Sequence, residues 1–240
     1  MNDTKTKIPF NLNMHTARLL MQEPFFAALS RRIDKTASTS IPTAGVRVNP
    51  ERNQFELLYN PDFMAALKDE HMLGVLMHEF YHIIFEHVTG RKPIDGLKRI
   101  DNIAMDLAIN GLPEMKGKLP CEGDPGPEIN GEPMKGCLPG EGPFADLPAN
   151  QTYEWYLEAL KKMGDDQKEG EGEGQPGEGE GQPGEGEGQP GDGDPFGGAD
   201  SFDSHDQFGE AEGTANDIAK ERLKDAIKKA AEEAEKARNW

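Results

Sequence analysis

HMLGVLMHEFYHIIFEHVTG, residues 71–90, is the stretch whose reading decides the fold. Its length and apolar content predict a helix, with Gly90 as the stop signal. Four residues along an α-helix bring a side chain back to within about 40° of its starting direction, one turn on. His78 and His82 therefore face the same way and can grip one metal ion through their ring nitrogens. Glu79 is the next residue round from His78, within reach of a water on that ion. This is the His-Glu-x-x-His arrangement, two zinc ligands and a general base on one helix. A pattern this short also arises by chance, and a buried helix with hydrogen-bonded core histidines is the plain alternative. The neighbours weigh against it. Leu73, Leu76, Met77, Phe80, Ile83 and Ile84 make the helix apolar on several sides. Two imidazoles and a carboxylate in such a helix carry a large desolvation cost unless a cation pairs with them.

A third ligand is needed. IDNIAMDLAING, residues 100–111, predicts a second helix, closed by Gly111 and Pro113. Asn102, Asp106 and Asn110 recur every four residues and form one polar stripe. Such a stripe is usually a solvated face. This one lacks Lys, Arg and Glu and follows the metal helix after one short connector, which suits a third ligand and the groups behind it. His87 competes for the position, since imidazole suits zinc. On a continuous helix, however, it lies about 180° round from His78 and about 140° from His82. The intervening IIFE holds no glycine that would end the helix first. Asp106 is therefore the expected ligand, with His87, Asn102 and Asn110 as supporting or substrate-contacting residues. Tyr81, His87 and Arg91 are candidates for stabilising a developing oxyanion.

Residues 14–33 read as an amphipathic helix broken or kinked at Pro24, and ASTSIPTAG, residues 37–45, as a polar loop. AGVRVN (44–49) and QFELLYN (54–60) read as a hairpin with its turn at NPERN. The second strand is a candidate edge for an extended substrate. Asn60 and Pro61 open a helix as N-cap and first residue. Residues 112–150 are rich in Gly, Pro and Lys and read as a long surface loop. TYEWYLEALKKM, residues 152–163, reads as a short packing helix. EGEGQPG then occurs three times in succession from residue 171. Such a segment cannot bury apolar surface to offset its ordering entropy, so 164–214 is expected to be a disordered spacer. Its end, GDGDPFGGADSFDSHD, fits no defined calcium loop. Residues 215–240 form a strong amphipathic helix with no evident partner for its apolar side, and a further domain is expected beyond Trp240.

The formal net charge is −18, but residues 164–217 hold 17 acidic residues against one lysine. The remainder is near neutral and shows no nucleic-acid footprint. There is no secretory h-region and no apolar run of about 18 residues, so a cytoplasmic chain with no membrane span is expected. Cys121 and Cys137 are then expected to be reduced.

HEFYHIIFEH followed by NIAMDLAIN, with the lead-in TAGVRV and YNP, resembles the zincin-like metallopeptidase domain found N-terminal to VWA-like domains in bacterial and phage proteins. His78, Glu79, His82 and His87 match the family's first motif; Asn102, Ala104, Asp106, Ile109 and Asn110 match the second. The resemblance covers about residues 10–163. It implies an α+β fold, mainly helical with a small β-sheet, over residues 1–163. The acidic segment would be the linker to a VWA-like domain. A zinc peptidase acting on peptide or protein substrates is the activity implied, with a MoxR-type AAA+ ATPase as partner where a VWA-like domain follows. The alternative is a metal-binding adaptor without proteolytic activity.

Overall fold

The computed structural model describes residues 10–12, 15, 18, 21–91, 98–129, 131–170 and 213–238. The EGEGQPG repeats, the GDGDPFGG segment and most of the expected spacer lie outside these residues.

Leu12, His15, Arg18, Met21 and Gln22 are helical, and the helix breaks at Glu23. Helix α1 then spans Pro24–Ser30, with the proline at its start, where a missing N–H costs nothing. It stops short of the expected end at Ile33. The chain extends there into β1 (Asp34–Ala37), a strand that the polar run concealed. β2 (Ala44–Asn49) and β3 (Gln54–Tyr59) form the expected hairpin. Its turn is closed by Asn49, whose Oδ1 accepts from the N–H of Glu51 at 3.0 Å and of Arg52 at 3.2 Å. Asn53 takes the left-handed backbone at φ 50°, which asparagine tolerates. The sheet order is β1-β3-β2, with β1 parallel and β2 antiparallel to β3. β3 is thus the central strand, paired on both sides, and QFELLYN is not the edge it was expected to be. The edges are β1 and β2.

Asn60 caps α2 (Pro61–Ala66), accepting from Asp62 N at 3.0 Å, while its amide donates to Ile41 O at 2.9 Å. α3 follows at Asp69–Ile84, and twelve of its 16 residues are buried. That explains its near-continuous apolar sequence: it runs through the interior. Gly74 permits this, since a Cβ there would stand 2.0 Å from the Lys118 carbonyl oxygen. α3 does not continue to Gly90. It ends at Ile84, and Glu86 turns the chain in a left-handed conformation at φ 59°.

α4 (Arg99–Asn110) closes at Gly111 as expected and packs between two cores. Ile109 joins the core shared by α1, the sheet and α3; Ile103, Met105 and Leu107 join a second core with α5. α5 spans Tyr153–Gly170, seven residues beyond Met163 and into the expected spacer. Residues 112–150 are not a loose surface loop. Met115, Leu119 and Met134 are buried in the first core, and Cys137, Phe144 and Leu147 in the second. A two-stranded ribbon, β4 (Glu128–Ile129) with β5 (Glu132–Pro133), lies within it.

The last helix, α6 (Thr214–Arg238), is not unpartnered. Ala219, Leu223 and Ala230 are buried in the first core, against α1, β2 and β3. Glu233 pairs with Arg31 and Arg32 of the α1 end. Among the described residues, no helix is long and apolar enough to cross a membrane.

Candidate metal centre

His78 and His82 sit one turn apart on α3, and Asp106 faces them from α4; all three are fully buried. The two histidine Nε2 atoms are 2.8 Å apart. Asp106 Oδ1 lies 3.5 Å from Nε2 of His78 and 3.4 Å from Nε2 of His82. Zinc–ligand bonds of about 2.0–2.2 Å in tetrahedral geometry separate the ligand atoms by roughly 3.3 Å. The three side chains therefore fit one cation, and among the described residues they are the group of His, Cys, Asp or Glu able to hold one. Without a cation, crowding two ring nitrogens and a carboxylate among fully buried side chains would carry a heavy desolvation cost.

Behind these atoms stands a supporting layer. His78 Nδ1 is 2.8 Å from Asn110 Oδ1, and His82 Nδ1 is 3.0 Å from Nδ1 of His87. His87 was expected to face away along a continuous helix. Because α3 ends early, the chain folds back instead, with the His87 N–H donating to His82 O at 2.9 Å. Its imidazole thereby meets the far side of the His82 ring, not the side shared with His78 and Asp106. Its ring also lies 5.9 Å from that of Tyr153. The Tyr153 hydroxyl donates to Asp101 Oδ1 at 3.1 Å, and burial followed by the Asp101 charge raises its pKa. Asp101 also accepts from the Lys98 N–H at 3.0 Å, capping the start of α4.

Glu79 is fully buried, beside His78 in the chain. Asn102 is half-buried one turn before Asp106, and its Oδ1 has no hydrogen-bond partner among the described residues. Two of the expected residues point elsewhere. Tyr81 donates to Glu114 Oε1 at 2.7 Å, and Arg91 reaches Glu154 at 3.8 Å on the surface. Sequence reasoning missed the Cys137 carbonyl, which accepts from Asn110 Nδ2 at 2.8 Å. A backbone group leaves no side-chain signature, so nothing in the sequence could have shown it. Tyr153 and Asp101 were equally silent, being ordinary members of their helices.

A histidine pair one turn apart on a buried helix, joined by a carboxylate from the next helix, defines an α+β domain with a candidate metal centre. The chain belongs to the family described as "Putative metallopeptidase domain", whose model matches residues 9–239. The match runs well past Met163, where the sequence resemblance was expected to end, and takes in α6. No curated protein and no solved structure matches the chain.

Proposed function

We propose that this domain is a zinc-dependent endopeptidase of the cytoplasm. The observation that carries the reading is the convergence of His78, His82 and Asp106 on one fully buried point, with Glu79 buried alongside. His78, His82 and Asp106 would hold the ion, leaving its fourth position for water. Zinc, when bound, lowers the pKa of a water towards about 7 and polarises a carbonyl oxygen. Glu79 takes the proton of the attacking water and returns it to the departing amine nitrogen. Asn110 and His87 hold the two imidazoles in orientation.

The full burial of all four residues also favours a second reading, a metal-binding adaptor working with a VWA-like domain and an AAA+ ATPase. Structural zinc sites are closed, whereas catalytic ones keep an open position. One experiment separates the two. The zinc-loaded full chain is incubated with a peptide library and the products are read by mass spectrometry. Glu79→Gln should lower cleavage by about 10²–10⁴-fold, the worth of a general base, with zinc content unchanged. A wild type that loads zinc and cleaves nothing supports the adaptor; a Glu79→Gln protein that cleaves normally removes the role given to Glu79.

A further inference from the structure

The orientation of His78 is governed from a loop distant in sequence. Asn110 is only 4% exposed, and both ends of its amide are engaged. Its Nδ2 lies 2.8 Å from the Cys137 carbonyl oxygen, and its Oδ1 lies 2.8 Å from His78 Nδ1. A carbonyl can only accept, so it selects the NH2 group and leaves the amide oxygen towards His78. That oxygen also only accepts, so His78 Nδ1 carries the ring proton. Its Nε2 then presents a lone pair towards His82 and Asp106, the form that binds a metal.

The Cys137 carbonyl belongs to the long loop between α4 and α5, whose closure is built from several contacts. The Asn150 N–H donates to Gly111 O at 3.0 Å, pinning the neck of the loop. The Gly136 N–H donates to Pro120 O at 2.9 Å, tying its two arms together. Asp124 pairs with Lys68 and lies 3.3 Å from His71 Nε2, fastening one arm to the start of α3. If the loop lifts at Cys137, the amide of Asn110 loses the partner that fixes it. It can then turn and offer its NH2 to His78, which favours the tautomer that cannot bind metal through Nε2.

We infer that Asn110 is a positioning residue that couples closure of the 116–150 loop to the metal-binding tautomer of His78. The inference rests on the metal-centre reading and not on peptide cleavage. Asn110→Asp keeps an acceptor for His78 but sets a carboxylate against the Cys137 carbonyl. Asn110→Leu removes both functions. Zinc affinity is measured on the full chain by chelator competition, and loop closure by amide hydrogen exchange over residues 134–138. Asn110→Leu should bind zinc about 10–100-fold more weakly, the usual cost of losing an outer partner of a ligand. Asn110→Asp should bind zinc at least as tightly as the wild type. Both variants should exchange faster in the loop. A residue that merely fills space would shift both affinities together. The inference is overturned if Asn110→Leu keeps wild-type affinity, if Asn110→Asp weakens zinc as much as Asn110→Leu, or if loop exchange is unchanged in both. A wild type that binds no zinc overturns it too. A wild type that shows the affinity pattern yet cleaves no peptide counts against the peptidase reading and supports this one.

Discussion

Leu223→Ala tests whether the C-terminal helix is part of the folded domain. Leu223 is 6% exposed and lies in the core shared by α1, the sheet and α3, with Ala219 and Ala230 on the same side of α6. The helix is also fixed at its flank, where Arg222 Nη1 donates to Arg52 O at 2.7 Å and Asn53 O at 3.0 Å. Truncating a buried leucine to alanine removes transfer free energy and leaves a cavity, together about 2–5 kcal/mol. A domain of 150–250 residues loses about 2–4 °C of melting temperature per kcal/mol. A loss of about 3 kcal/mol therefore lowers Tm by about 6–12 °C. Alanine is the better helix former, so a detached helix would be unaffected or slightly strengthened. Thermal melts of the full chain, with the exposed Glu232→Ala as the control, distinguish the two. Equal melting of Leu223→Ala and the control would refute the placement of α6 in the core.

Three other outcomes follow from the structure. Burial pushes the Glu56 carboxyl up, but hydrogen bonds from Thr36, Arg47 and Asn49 and the Arg47 charge outweigh it, so its pKa is lowered. A lowered carboxyl pKa adds stability above the unfolded value of about 4.3, lost as pH falls through the folded value; chemical melts from pH 7 to pH 3 should show Glu56→Gln losing less stability on acidification than wild type. Metal bound only by the folded state adds about 2.7 kcal/mol at a hundredfold excess over Kd, so a chelator should lower Tm, and an unchanged melt would count against the metal centre. Asp106→Ala should lose zinc outright, whereas His87→Ala should weaken it about 10–100-fold; the reverse order, in proteins checked for folding, would exchange their roles.

What the sequence made legible was local. The period of the histidines, the stripe of Asn102, Asp106 and Asn110, the hairpin turn and the Asn60–Pro61 helix start each depend on residues within a turn or two of one another. The structure places all of these as expected. What stayed hidden depends on pairing between distant segments. β1 is a four-residue strand of mostly polar residues, stabilised by its parallel register with β3, from Asp34 opposite Glu56 to Ala37 opposite Tyr59. Without that partner, DKTA has no strand pattern to read. The apolar side of α6 was visible, but its partner lies almost 200 residues earlier, across an acidic segment that obscures the connection. The buried residues of 112–150 are spaced too irregularly among Gly and Pro to give either helical or strand periodicity.

The end of α3 shows why even correct rules about helices misplace a side chain. A residue with φ near +60° is expected to be glycine, and the absence of one between His82 and His87 argued for a continuous helix. Glu86 takes that conformation instead. Such a backbone costs a non-glycine residue of order 1–3 kcal/mol and persists where the surroundings fix it. Here the N–H groups of Thr89, Gly90 and Arg91 all approach the Glu86 carbonyl at 2.9–3.1 Å, while the His87 N–H is held by His82 O. Lys220 of α6 stands 3.9 Å from the Glu86 carboxylate, and Val88 is buried in the same core as Ala219 and Leu223. The turn that returns His87 to His82 is thus supported by a helix that starts more than 120 residues later. Sequence between His82 and His87 could not contain that information. His87 thus returns to the Nδ1 side of His82, while Asp106 faces the Nε2 side.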